Sequence, residues 1–152
     1  MRNIILKFGN YGFLLSLILF LVVLSFGEDL SSSTQVILSY VTMTVSLCFV
    51  FFGIKSFRDN VNSGKLSIGQ AFTIGMAITL LTSLGIGLAD YLYTTVINPD
   101  FYEEYKAMLR ANGFQGKIPE YSSGFMALLM SITVLSIGVV ITVISSLSLK
   151  RE

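Results

Sequence analysis

Few residues in this 152-residue chain could do chemistry, because charged side chains make up only 12 % of it where roughly 25 % is typical. Asp90 closes an otherwise uncharged run from Leu66 to Ala89, beside Tyr91. An ionisable group within a membrane normally marks an ion path, a proton relay or a counter-ion. Asp90 is therefore the candidate ion site. The length of its run places it in hydrated headgroup space, with a partly buried proton or cation site as the alternative. Asp100, Glu103, Glu104 and Glu120 form an acidic stretch that could collect divalent cations. Their spacing matches no calcium loop, and a solvated face is the expectation. Lys55, Arg58 and Lys65 could hold anionic lipid headgroups, each contributing about 1 kcal/mol near a charged surface. Asp59 follows Lys55 by four residues, the less favourable order for a helical ion pair.

The other reactive types are nearly absent. There is no His and a single Cys, Cys48, which falls inside an apolar run and is expected to pack there. No nucleophile has a base beside it, and no phosphate-cradling or dinucleotide-binding glycine motif occurs. The chain is expected not to be an enzyme and to need no metal or cofactor. Its net charge is +1 with no basic cluster, so nucleic acid is not an expected partner.

Four elements must position these groups. Uncharged windows run over Phe8–Gly27, Leu30–Ile54, Leu66–Ala89 and Tyr121–Leu149, holding 20, 25, 24 and 29 residues. About 20 helical residues cross a hydrocarbon core of about 30 Å. Hydrophobic residues are 53 % of the chain and mean hydropathy is +0.77. The fold class is all-α: one membrane domain over 1–152, a four-helix bundle with spans at about 8–27, 34–54, 67–90 and 122–149. The loop between the third and fourth spans, about 98–120, carries a short amphipathic helix.

Seven Lys and Arg flank one side of these spans and three flank the other, with net charges of +5 and −4. Both termini are thus expected in the cytoplasm, with the long loop outside. The first span resembles a signal peptide through Arg2, Lys7 and Ser25-Phe26-Gly27. Its full bilayer length argues that it is retained.

Helix ends carry their own chemistry. Ser32-Ser33-Thr34-Gln35 and Ser67-Ile68-Gly69-Gln70 match the capping box and place the starts of the second and third spans. The second span continues through Lys55 and Arg58 to a break at Asn62-Ser63-Gly64. The third continues to about Ile97, stopped by Asn98-Pro99, which sets Tyr91 and Tyr93 at headgroup level. Asp100 then reads as the cap of a helix that ends at Asn112-Gly113, with Phe101, Tyr105, Met108 and Leu109 on one face. That helix is expected to shield the ends of the spans, with gating of a ligand as the alternative.

Small residues decide where membrane helices meet. Ala71, Gly75, Thr79, Ser83 and Gly87 recur every four residues in the third span, making it the candidate central helix. Gly85 and Ala89 add a second, shorter row. Each four-residue step turns a row by about 40°, so a partner must cross obliquely or change between the two ends. Ser39, Thr42, Ser46 and Gly53 in the second span, and Gly138, Thr142 and Ser146 in the fourth, offer further small positions. Packing is the expectation for all of them, with a polar solute path as the alternative.

Three stretches together resemble a known family. Gly53-Ile54-Lys55-Ser56-Phe57-Arg58-Asp59, Gly64-Lys65-Leu66-Ser67-Ile68-Gly69-Gln70-Ala71-Phe72 and Ile97-Asn98-Pro99-Asp100-Phe101-Tyr102 are similar to domain of unknown function 4199, a family of small bacterial membrane proteins. The resemblance implies four helices in the inner (plasma) membrane and no defined activity. The expectation is a non-catalytic accessory or scaffold subunit whose partners are the lipid bilayer and another membrane protein or a second copy. The alternative is an oligomeric channel or transporter for a small neutral solute.

Overall fold

The computed structural model describes residues 1–27 and 30–150, leaving out the side chain of Ser32. Five α-helices occur among the described residues: α1 Arg2–Phe26, α2 Ser32–Asn60, α3 Ile68–Leu92, α4 Phe101–Ala111 and α5 Ser123–Leu149. A single π-helical turn, Tyr93–Ile97, extends α3 up to Asn98-Pro99. The four long helices are each long and apolar enough to cross a membrane. Large apolar side chains such as Ile18 on α1, Ile37 on α2 and Ile144 on α5 point away from the bundle. The arrangement is consistent with a multi-pass membrane protein.

Local chemistry sets the ends. At the start of α3 both halves of the capping box form: the Gln70 amide donates to Ser67 Oγ, and the Ser67 amide donates to Gln70 Oε1, each at 3.3 Å. The start of α2 differs from its expected box. Ser31 is the cap there, accepting from the Thr34 amide, while the Gln35 side chain donates to the Gly27 carbonyl. Ser33-Thr34-Gln35 therefore sit inside the first turn, and the expected role of the Ser32 side chain lies outside the described residues. α1 also begins earlier than its uncharged window, since Arg2 and Lys7 extend it into its first two turns. Asp100 precedes α4 without any side-chain cap, its backbone already being helical. Ser122, by contrast, caps α5 by accepting from the Phe125 amide.

α3 is the central helix. It packs along α5 and α1, and less extensively against α2. On α5 the fit runs along the expected row. A side chain at Gly75 would meet Thr142, the Thr79 methyl lies against Gly138, and Gly87 sits under Ser131 and the Ala127 carbonyl. One partner, α5, follows the row from Gly75 to Gly87, where small residues let the two helices approach closely. The second row meets α1: Gly85 faces Ser16 and Phe13. α1 contributes its own close approaches, Gly9 against Leu81 and Gly12 against Thr82. Gly53 on α2 admits Ile78 and Phe8 at the other end of the bundle.

Candidate functional site

Hydroxyls inside the bundle are spent on backbone carbonyls. Ser46, Thr82 and Ser146 each donate to the carbonyl four residues earlier in their own helix. Ser16 Oγ lies 3.0 Å from the Thr82 carbonyl on α3, and Ser131 Oγ lies 3.2 Å from the Ser83 carbonyl. The Thr79 and Thr142 hydroxyls stand 3.5 Å apart. The expected small positions Ala71, Gly75, Thr79, Ser83 and Gly87 are all buried in packing. Within one chain these groups stitch helices together.

Asp90 differs. It continues the inward stripe of Ser83, Ile86 and Gly87, seven residues beyond Ser83, and Thr94 follows it one turn later. It is only 5 % exposed, and its Oδ2 is out of water with no hydrogen-bond partner among the described residues. The expected placement in hydrated headgroup space is thus corrected, because the stripe that carries Asp90 turns inward and the π-helical turn after it prolongs the cover. The signal was in the sequence: Ser83, Ile86, Gly87 and Asp90 follow the i, i+3, i+4, i+7 spacing of one helix face.

Asp90 lines a cavity of about 440 Å³ at the end of the bundle that carries α4. Phe20 and Leu24 on α1, Ser39, Tyr40 and Met43 on α2, and Met126 and Met130 on α5 form its walls. Phe101, Tyr102 and Tyr105 reach over it from α4, and Tyr121 from the loop before α5. The rings interlock: Tyr93 and Phe101 meet edge to face at 5.7 Å, and Tyr102 lies 6.1 Å from Tyr121. Burial, and secondarily the negative charge of Asp90, push the Tyr102 hydroxyl up to about 12. Of the two tyrosines expected at headgroup level, Tyr93 is 1 % exposed and packed into the bundle, whereas Tyr91 turns outward. The missed contributor is Tyr102, absent from the expected apolar face of α4. It stands three residues before Tyr105, and the two line the cavity together.

α4 itself is loosely held. None of its residues is buried, and Tyr105 and Met108 of the expected packing face are each 40 % exposed. Lys106 donates to Glu103 at 2.8 Å, which raises the pKa of the ammonium. Asn98 Nδ2 donates to Glu104 at 3.1 Å, and Arg110 donates to the Phe114 and Gly116 carbonyls. Two of the four acids, Glu103 and Glu104, are thus engaged in local bonds. No cluster of three metal-ligating side chains occurs among the described residues.

The basic candidates lie at the opposite end. Lys55 and Lys65 are exposed, whereas Arg58 is half-buried and paired with Asp59 at 2.6 Å. Asp59 thus engages its neighbour Arg58. Cys48 is exposed on the outer face of α2, its thiol directed to the Thr44 carbonyl, which corrects the expectation that it packs inside. Thr42, Ser46 and Leu47 take the inward side of that turn.

The family model of a protein of unknown function, DUF4199, matches residues 7–151, nearly the whole chain. The match runs well beyond the stretches 53–59, 64–72 and 97–102 that carry the resemblance in sequence. The chain belongs to this family. No curated protein and no solved structure matches it.

Proposed function

We propose that this DUF4199 protein is a non-catalytic accessory subunit of a membrane assembly, docking to another membrane protein through its α4 end. The observation that carries this reading is α4 itself. It is strongly two-sided, none of its residues is fully buried, and its charged side bears Glu103, Glu104, Lys106 and Arg110. A surface helix with so few ties to its own bundle has contact area left for a partner. The family resemblance implies the inner (plasma) membrane of a bacterium, and the Lys and Arg distribution supports both termini cytoplasmic and α4 outside. The spent hydroxyls inside the bundle support assembly over transport.

The test is the mass and composition of the complex extracted gently from its own membrane. A stoichiometric foreign subunit, released by the charge reversal Lys106→Glu, is the expected result. A closed homo-oligomer with nothing else bound would overturn it and favour a path for a small neutral solute.

A further inference from the structure

We propose that the cavity beneath α4 binds an organic cation: an ammonium group on an apolar body. Two independent features point to that chemistry. Asp90 presents a carboxylate oxygen that is out of water and unpaired among the described residues. It takes part in neither of the two ion pairs found among them. Keeping a buried carboxylate ionised is costly, a cationic partner offsets that cost, and the described residues give Oδ2 no partner here.

The second feature is the wall. Tyr40, Phe101, Tyr102, Tyr105 and Tyr121 gather at the same cavity as the carboxylate. Aromatic faces attract cations through their quadrupole, and rings around a carboxylate are the arrangement that recognises ammonium groups. Met43, Met126 and Met130 supply a soft, adaptable apolar floor for the body that carries the charge. A cavity of about 440 Å³ accommodates a molecule larger than an ion.

The lining also discriminates. A hard metal ion seeks six or more oxygens, and this mainly apolar wall favours a cation whose charge is diffuse and whose shell is easily shed. An anion is repelled by Asp90. A neutral apolar molecule would fit the wall and leave the carboxylate unpaired. The ammonium can come from a free amine or from the headgroup of a lipid such as phosphatidylethanolamine; the recognition chemistry is the same.

The experiment uses the full chain in maltoside micelles, which carry neither charge nor amine. Equilibrium dialysis compares benzyltributylammonium with N,N-dibutylbenzamide, a neutral molecule of similar shape. The ammonium is expected to bind about tenfold more tightly than the amide, and Asp90→Asn to erase that difference. Tyr102→Leu is expected to weaken the ammonium several-fold while Tyr102→Phe retains it. Native mass spectrometry with phosphatidylethanolamine and phosphatidylglycerol then separates the sources. Selective retention of the amine lipid by the wild type and not by Asp90→Asn identifies a headgroup. Equal retention of both lipids, with the ammonium probe still bound, identifies a free amine. Equal affinity for ammonium and amide, or unaltered ammonium binding by the folded Asp90→Asn protein, overturns the proposal.

Discussion

Along the seam between α3 and α5, Ser83 is buried at 1 % exposure with its hydroxyl on the Leu80 carbonyl, and Ser131 reaches across to Ser83's own carbonyl. Seven residues later on the same inward stripe, Asp90 is buried at 5 % exposure and its Oδ2 has no partner among the described residues. Both places put polar atoms out of water. At the seam the backbones come close, over Gly75, Gly87 and Gly138, and the hydroxyls there find a carbonyl, as Ser83 and Ser131 do, or one another, as Thr79 and Thr142 do. At the α4 end the helices part around a cavity, and large aromatic and Met side chains fill the wall where small residues filled the seam. Close approach satisfies polar groups, and separation leaves one of them available. The first region is built for stability and the second for an occupant.

If that contrast is right, the largest effect comes from forcing the seam apart. A Cβ at Gly75 would stand 2.5 Å from Thr142 Cγ2 and 3.1 Å from Ile54 Cδ1, with helices on both sides. Gly75→Leu is expected to cost more than about 3 kcal/mol and to abolish a monodisperse peak on size exclusion. A folded protein of unchanged melting temperature would remove α3 from the centre of the bundle.

The sign reverses at the other region. In ligand-free protein, Asp90→Asn removes a buried charge whose Oδ2 nothing described engages, and stability is expected to rise by about 1–2 kcal/mol. Thermal melting in neutral detergent reads the difference directly. A fall would mean that Asp90 is held by a stabilising partner, and the two regions would then be alike.

The seam was legible in the sequence because packing in a membrane depends on residue size and spacing, and Ala71, Gly75, Thr79, Ser83 and Gly87 display both. The α1 contribution was harder to see. Gly9 and Gly12 matter through what they face, Leu81 and Thr82, and a partner surface is not written in the helix that meets it. The cavity was less legible still. Its aromatic residues come from α1, α2, α4 and the loop before α5, from Phe20 to Tyr121, and no local pattern joins them. Asp90 carried a local signal in its i+7 spacing from Ser83, outweighed by its position at the edge of an uncharged run. Cys48 shows the converse error: a mid-span place says nothing about which side of the helix faces inward.

A gentler contrast concerns glycines that serve no approach. Gly124, in the first turn of α5, has nothing within 4 Å of where a Cβ would stand. Gly124→Ala is expected to stabilise by about 0.5 kcal/mol through helix propensity alone. A loss of stability would show that the start of α5 requires a close contact.

The smallest effect tests whether the hydroxyls of the seam hold it or merely occupy it. Ser131 Oγ lies 3.0 Å from the Ala127 carbonyl in its own helix and 3.2 Å from Ser83 in α3. One proton serves both, so the bond across the interface is partial. Both carbonyls also lie within helices, so neither depends on the serine alone. Ser136 is the matched control: it donates only to Ile132, in its own helix, from an exposed position. Ser131→Ala is expected to cost about 0.6 kcal/mol, the average for interhelical hydrogen bonds in a membrane bundle, and Ser136→Ala close to nothing. Equal melting temperatures for the two variants would mean that shape holds the seam without help from its hydroxyls. A loss several times larger at Ser131 would mean that polar contacts dominate even where backbones touch. Between these limits lies the division inferred here: glycine brings the helices together, and the hydroxyl's chief service is to leave nothing unpaired once they are.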